Sequence, residues 1–215
     1  MKLQSRDGVQ IDAYRAGEGN ARGLVLVQEI FGVNSHIRET ADRFAEKGYD
    51  VIAPAIFDRV EKNVELDYSQ ESIQKGLELR SKLAIDSVLS DIQAAIDALK
   101  GKPVAVIGYC WGGTLAWQAA CKLKGLSVSS SWYPGGIGQV RDLVAQVPAQ
   151  VQFGNQDTSI PMSEVEEFRA AQPNVEVNIY DAGHGFGCDH RGSYNEAAYK
   201  AALASTLAFF DKHLG

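Results

Sequence analysis

Cys110 lies at the centre of the hexapeptide GYCWGG (residues 108–113), which follows an apolar run and precedes a segment of helical pattern. This spacing is that of a nucleophile elbow, a sharp strand-to-helix turn that exposes a nucleophile, with cysteine in place of the usual serine. The glycines leave room for the strained backbone of such a turn. A thiol at a helix N-terminus is shifted towards thiolate by unpaired N–H groups and by the helix dipole. The pattern predicts a reactive Cys110; the alternative is a glycine-rich turn that packs a helix on a sheet around an inert cysteine.

Asp157 and His184 follow Cys110 in the chain order nucleophile, acid, histidine that accompanies such an elbow. Each lies just after an apolar run, and His184 stands between two glycines. Because a histidine can take the proton of the thiol and a carboxylate can orient the histidine, the three residues predict a catalytic triad. Considered alone, Asp157 is equally well explained as a turn or capping residue. Capping or solvated positions explain the other histidines, which are His36, His190 and His213.

The segment QEIFGVN (residues 28–34) follows the first long apolar run and lies where an oxyanion hole is built in this arrangement. The two predicted donors are the backbone N–H of Trp111, just after the nucleophile, and the backbone N–H of Ile30. Glu29 stands beside them, although a carboxylate repels an oxyanion. We therefore expect Glu29 to help deprotonate Cys110 when substrate arrives. The alternative is a structural salt bridge to one of two arginines, Arg38 or Arg80.

These candidates need a fold that brings several loops to one edge, and the apolar pattern predicts one. Strands are predicted at Leu24–Val27, Val51–Pro54, Val104–Ile107, Val128–Trp132, Val151–Phe153 and Val175–Tyr180. Helices are predicted at Ile37–Ala45, Val88–Leu99 and Glu196–His213, with one continuing from the elbow and one beginning at Pro161. The alternation predicts an α/β fold with a mainly parallel sheet, helices on both faces, and an antiparallel hairpin over Leu3–Tyr14 at the N-terminal edge. The candidate residues then follow the carboxyl ends of strands, where ligands bind in such sheets.

Composition restricts the class of protein. The 215 residues, of which 45% are hydrophobic and 22% charged, are typical of one globular domain over residues 1–215. The net charge of −6 argues against a nucleic-acid partner. The lack of an apolar N-terminal stretch, and of any run of about 20 apolar residues, predicts a cytoplasmic protein with no membrane partner. Three widely spaced cysteines indicate neither a disulfide framework nor a structural zinc site, and a monomer is the default expectation.

With these residues placed, the chain resembles the dienelactone hydrolase family of α/β-hydrolases over nearly its whole length. The segments that carry the resemblance, in the family order, are QEIFGVN (28–34), GYCWGG (108–113), GNQD (154–157) and GHGF (183–186). The resemblance implies an α/β-hydrolase fold and a hydrolase of the carboxymethylenebutenolidase type. It also implies a Cys110–His184–Asp157 triad with Glu29 beside it, and no cofactor.

Family members that act on dienelactones hold the substrate carboxylate with two arginines, one in the long segment before the nucleophile strand and one soon after the histidine. The corresponding candidates in this chain are Arg80 and Arg191. Arg191 lies farther beyond His184 than the family arginine does, and this departure bears on the substrate rather than on the chemistry. The alternative for both arginines is a solvated surface charge.

The type of nucleophile restricts the substrate. A tetrahedral adduct on cysteine expels the better leaving group, and a thiolate leaves more readily than an ordinary alkoxide. We therefore expect small activated esters, such as enol lactones, thioesters or phenyl esters, which are cleaved through an acyl-cysteine. Two alternatives stay open at this point: a metal site formed by His184, Cys188 and His190, and a catalytically silent relative that binds a small ligand or senses oxidants through Cys110.

Overall fold

One eight-stranded sheet runs through the computed structural model, which describes residues 1–215. The strands are β1 Lys2–Gln4, β2 Gln10–Ala16, β3 Arg22–Val27, β4 Tyr49–Pro54, β5 Val104–Tyr109, β6 Val128–Trp132, β7 Ala149–Gly154 and β8 Glu176–Tyr180. Their order across the sheet is β1-β2-β4-β3-β5-β6-β7-β8. The β1–β2 and β2–β4 pairs are antiparallel, and all other pairs are parallel. The predicted hairpin at the N-terminal edge and the six predicted strands are confirmed.

Six α-helices connect the strands. They are α1 Ser35–Ala45, α2 Gln70–Ser81, α3 Ile85–Ala98, α4 Trp111–Lys122, α5 Met162–Ala171 and α6 Glu196–Leu214. Two short 3-10 helices lie at Ile56–Arg59 and Ile137–Val140. None of the helices combines the length and the apolar character that crossing a bilayer requires.

The central strand β3 divides the hydrophobic core between the two faces of the sheet, because successive side chains of a strand point to opposite sides. Leu24 and Leu26 pack in one cluster with α1 and α6, whereas Val25 and Val27 pack in a second cluster with α3. Both clusters consist of buried residues. Strands buried on both faces therefore carry no polar side, which explains the continuous apolar runs in the sequence.

Helix α2 was not predicted from the sequence. It buries only Gly76 and Leu79, so it presents no apolar stripe that would reveal it as a helix. Its start is marked instead by Ser69, whose hydroxyl accepts a hydrogen bond from the Ser72 N–H at 3.2 Å. A Cβ on Gly76 would clash with the carbonyl oxygen of Ile30. Helix α2 therefore packs closely against the loop that follows β3, where the predicted oxyanion donor lies.

Candidate active site

Cys110 is the single residue between β5 and α4, and its backbone is strained. Its φ and ψ angles are 55° and −119°, a combination that residues other than glycine rarely adopt. Two glycines permit this turn, because a Cβ on Gly108 would clash with the carbonyl oxygen of Gly112, and a Cβ on Gly112 would clash with the backbone of Val27 and Gln28. The sharp strand-to-helix turn that the sequence predicted is present, and it carries the cysteine at its apex.

Asp157 and His184 come together at the carboxyl ends of two neighbouring strands. Asp157 follows β7 and His184 follows β8, and the Nδ1 atom of His184 lies 2.7 Å from the Oδ2 atom of Asp157. The other carboxylate oxygen, Oδ1, accepts hydrogen bonds from the N–H groups of Ser159 at 2.8 Å and Ile160 at 3.2 Å. Asp157 is therefore both a turn residue and the partner of the histidine, so the two explanations offered by the sequence hold together.

The charges around His184 favour its imidazolium form. Burial is the largest influence and lowers the pKa of His184, but Asp157 and Cys110 outweigh it, through hydrogen bonds and through charge, and raise that pKa from 6.5 to about 10. A Cβ on Gly135 would lie 3.9 Å from the Sγ atom of Cys110 and 4.0 Å from the Cε1 atom of His184. Gly135 therefore lines the space between these two side chains. The structure brings all three predicted triad residues into one electrostatically coupled group.

The three cysteines differ in their surroundings. All are free thiols, and only Cys110 is partly exposed. Burial raises the pKa of both Cys121 and Cys188 to about 12, so these thiols stay protonated at neutral pH. Cys121 fills the core, because it packs in the cluster with α1 and α6.

Neither predicted oxyanion donor has its backbone N–H engaged in a hydrogen bond within the protein, so both N–H groups are available to an oxyanion. Trp111 is the first residue of α4, and an N–H at that position has no acceptor within its helix. Ile30 lies in the loop between β3 and α1, and its N–H donates to no backbone acceptor. The indole ring of Trp111 stacks on Phe57 at a centroid distance of 5.6 Å, which holds the start of the helix against the neighbouring loop.

Glu29 forms its salt bridge with Arg191, at 3.2 Å between Oε1 and Nη1. The sequence alternatives, Arg38 and Arg80, were wrong, because Arg38 pairs instead with Glu65 at 2.7 Å. Glu29 is fully buried, and its second oxygen, Oε2, has no hydrogen-bond partner. The sequence could not give this pairing, because the two residues lie 162 positions apart.

The two arginines proposed for anion recognition differ in how their charge is balanced. Arg191 packs between the rings of Phe31 and Tyr68, with its guanidinium carbon 5.7 Å and 5.4 Å from the ring centroids. Its side chain is only 18% exposed and is paired with Glu29, so the alternative of a solvated surface charge is wrong for it. Arg80 lies on α2 with its guanidinium carbon 5.8 Å from the centre of the Trp111 ring.

Arg80 borders a cavity of about 310 Å³ whose wall also includes Trp111, Thr114 and Gly136. Lys75 of α2 pairs with Glu61, and Lys82, the residue just after α2, pairs with Glu78. Arg80 itself forms no salt bridge, so its charge is not neutralised by a carboxylate of its own helix.

The alternative of a metal site formed by His184, Cys188 and His190 was wrong, because these three side chains do not converge. The groups of potential ligands that do converge are Glu29 with His36 and Cys188, and His36 with Asp189 and His190. His36 is also not a solvated capping residue, since it is buried at the start of α1. Its spacing of four residues from Thr40, which is buried as well, was the available signal that His36 lies on the inner face of the helix.

Comparisons with known proteins identify the family. The model of the "Dienelactone hydrolase family" matches residues 11–214. The chain belongs to this family. A candidate carboxymethylenebutenolidase of Synechocystis is 35% identical over 212 residues, covering 89% of this chain and 86% of that protein. Carboxymethylenebutenolidase 1 of Cupriavidus pinatubonensis is 30% identical over 220 residues, covering 96% and 94%.

Solved structures of dienelactone hydrolase-like proteins have the same architecture. The crystal structure of a candidate dienelactone hydrolase from Klebsiella pneumoniae superposes with a TM-score of 0.85 at 29% identity, covering 98% of this chain and 96% of that chain. An esterase of Pyrococcus furiosus, with a TM-score of 0.73 at 17% identity, shares the fold. The α/β-hydrolase fold predicted from the sequence is thereby confirmed, and as a member of the dienelactone hydrolase family the protein is a hydrolase.

Proposed function

We propose that this dienelactone hydrolase family member cleaves activated esters or lactones through an acyl-cysteine at Cys110. The observation that carries the proposal is the coupling of Cys110 and Asp157 to one imidazole, that of His184, with a distance of 2.7 Å from its Nδ1 to Asp157. A histidine held in this way has its second nitrogen, Nε2, available to exchange a proton with the thiol and with the leaving group. The strained backbone at Cys110 supports the same role, because strain is retained where function requires an exposed nucleophile.

The proposed reaction has two stages. The Cys110 thiol passes its proton to His184, and the sulfur attacks the substrate carbonyl while the N–H groups of Ile30 and Trp111 hold the oxyanion. The C–O bond to the leaving group breaks, and His184 returns the proton to the departing oxygen. Water then attacks the thioester with His184 as base, which releases the acid and restores the thiol.

Glu29 assists the ionisation of Cys110 in this proposal. Its support is the buried carboxylate with one oxygen on Arg191 and the other unpaired. The charges of both Glu29 and Cys110 act on the Arg191 guanidinium, so Glu29 lies near enough to the thiol to serve as a second acceptor for its proton when His184 is already protonated. The ionisation of the Cys110 thiol is therefore expected to respond when a substrate enters the active site.

The substrate class follows from leaving-group chemistry. A thiolate is expelled in preference to an ordinary alkoxide, so the adduct with a simple alkyl ester returns to starting materials. Enol, phenyl and thiol leaving groups are stabilised anions and depart instead. Enol lactones, phenyl esters and thioesters are therefore the proposed substrates.

The acyl-enzyme can be trapped directly. We expect that acid quenching during turnover of p-nitrophenyl trimethylacetate, whose bulky acyl group slows hydrolysis of the thioester, leaves one acyl group on the peptide that contains Cys110. Mass spectrometry of the digested protein measures it, and the peptides with Cys121 and Cys188 serve as internal controls. A burst of p-nitrophenol without an adduct on Cys110, or with the adduct on another residue, would overturn the proposal.

We further propose that Arg80 recognises a carboxylate on the substrate. The support is its place beside Trp111 on a cavity of about 310 Å³, without a carboxylate partner on its own helix. An ionic hydrogen bond of this kind contributes about 1.5–3 kcal/mol, which corresponds to roughly a 10- to 100-fold preference. Arg191 is the weaker candidate because Glu29 already balances its charge.

Replacing Arg80 by methionine tests this assignment. We expect kcat/KM to fall roughly 10-fold or more for an enol lactone that carries a free carboxylate, because the ionic contact is lost. The methyl ester of the same lactone should react as before. Arg169→Met on the exposed face of α5 is the matched control. Equal losses for both lactones would show that Arg80 supports the fold or the Trp111 ring rather than the anion.

A further inference from the structure

Three side chains from separate segments converge beside the active-site loops in a way that the proposed hydrolysis does not use. Glu29 comes from the loop after β3, His36 from the first turn of α1, and Cys188 from the segment after His184. All three are buried, at 0%, 1% and 0% exposure. One oxygen, nitrogen or sulfur atom from each lies within 4.8 Å of those of the other two. A buried cluster of this composition needs a physical explanation.

Two of these atoms have no partner in the protein. Glu29 Oε2 and His36 Nε2 are both buried without a hydrogen bond. Leaving a buried carboxylate oxygen and a buried imidazole nitrogen without a hydrogen bond is unfavourable, because neither atom regains in the protein the partners that it had in water. The fold therefore keeps two buried polar atoms without a protein partner, and a bound ion would satisfy both.

The His36 ring is oriented through Nδ1, the nitrogen opposite the unpaired Nε2, as a metal-binding histidine is. Its Nδ1 lies 3.2 Å from Asp189 Oδ1, and Asp189 is fixed in turn by Arg43 at 2.6 Å. A carboxylate on one nitrogen keeps the proton there and leaves Nε2 as a donor of electrons, which is the usual outer arrangement around a metal-bound imidazole.

We propose that Glu29, His36 and Cys188 bind one divalent transition-metal ion, with zinc the best fit. The donor set combines carboxylate oxygen, imidazole nitrogen and thiolate sulfur, which suits borderline-soft Zn²⁺ and excludes Mg²⁺ or Ca²⁺ as preferred ions. Ligand atoms around a tetrahedral zinc lie roughly 3.4–3.6 Å apart from its bond lengths, so atoms that are within 4.8 Å of one another need to approach by at most about 1.4 Å. The Cys188 thiol loses its proton to solvent when the ion binds.

The charge of the site is compatible with a cation. Arg191 occupies Oε1 of Glu29 and leaves Oε2 to the ion. With Glu29 and Cys188 ionised, His36 neutral and Arg191 protonated, the bound group carries one net positive charge, which Asp189 offsets through His36. The ion would join the loop of Ile30, helix α1 and the segment after His184. If Glu29 also assists Cys110 as proposed above, the two uses of Oε2 exclude each other, and a bound ion slows hydrolysis.

Metal titration of a variant without the nucleophile separates this site from the triad. In Cys110→Ala we expect one Co²⁺ per chain, with the near-ultraviolet absorption of a thiolate-to-cobalt charge transfer, and one competing Zn²⁺ that raises Tm. Adding Cys188→Ser should abolish the charge-transfer band. Adding His36→Asn, which keeps a donor towards Asp189 but removes Nε2, should weaken binding at least about 10-fold, and Asp189→Asn should weaken it roughly 10- to 100-fold.

Cys121→Ser, added to the same Cys110→Ala protein, is the matched control, because Cys121 is also buried but lies outside the cluster. Its binding should equal that of Cys110→Ala. The absence of stoichiometric Co²⁺ binding, which is what a buried water molecule between Glu29 and His36 would give, overturns the proposal. So does a charge-transfer band that persists in the Cys188→Ser protein. Neither result depends on hydrolysis, so the acyl-cysteine mechanism stands or fails separately.

Discussion

Replacing Cys110 by alanine should reduce kcat/KM for p-nitrophenyl acetate by at least roughly 10³-fold, to the level that binding and the oxyanion donors alone provide. The loss is large because no other thiol can take over the attack. Cys121 and Cys188 are buried, and burial raises the pKa of each to about 12. Steady-state release of p-nitrophenol measures the effect.

Cys121→Ala is the matched control for this experiment, since it removes a thiol from the helix that follows the nucleophile. It should retain activity and lose stability by about 1–3 kcal/mol, the range expected when a small buried side chain is truncated. Iodoacetamide should label Cys110 before the other two cysteines, and inactivation should follow labelling in proportion. Full activity in Cys110→Ala, or inactivation that follows labelling of another cysteine, contradicts Cys110 as the nucleophile; a native protein with no turnover of p-nitrophenyl acetate would instead favour a catalytically silent protein that binds or senses through Cys110.

The fold was predictable because its strands are buried on both faces. Runs such as Val104–Ile107 contain no polar residue, and the helix over Ile85–Ala98 has an apolar stripe, so local pattern and tertiary burial agree. Helix α2 escaped prediction for the opposite reason, because it lies on the surface and buries little. Its capping residue Ser69 is a weaker signal than periodicity, since serine is common in turns as well.

Some residues of the candidate site could likewise be predicted from local sequence pattern, whereas others depend on contacts between distant segments of the chain. Cys110, Asp157 and His184 follow strands, and the order of strands in a parallel sheet brings such positions to one edge. Partners of buried charges are different, because they depend on which loops meet above that edge. The pairing of Glu29 with Arg191, and the burial of His36 against Asp189, result from packing between segments more than 150 residues apart. No local spacing encodes such a contact.

Replacing Asp157 by asparagine should lower kcat/KM by roughly 10²- to 10⁴-fold while preserving the fold around the site. The asparagine oxygen can still accept the N–H groups of Ser159 and Ile160, which Oδ1 accepts in the native protein. Its amide NH₂ then faces Nδ1 of His184 in place of an oxygen. Two donors repel, so the imidazole moves its proton to Nε2 and can no longer accept the proton of Cys110. Kinetics with p-nitrophenyl acetate measure the loss, and Asp181→Asn in the next loop is the control.

The same substitution should change stability with a definite dependence on pH. In the native protein Asp157 and Cys110 raise the pKa of His184 from 6.5 to about 10 against the effect of burial. A raised pKa in the folded state contributes stability that is fully present below pH 6.5, the value for the unfolded chain, and is lost as the pH rises through about 10. Without the carboxylate, only Cys110 opposes the effect of burial on the pKa of His184, so this contribution is reduced. Urea unfolding should therefore show the largest deficit of Asp157→Asn near neutral and mildly acidic pH, with the two proteins converging above about pH 10. A deficit that is constant with pH would mean that the imidazolium is not stabilised by Asp157, and that the aspartate acts only as a residue of its turn.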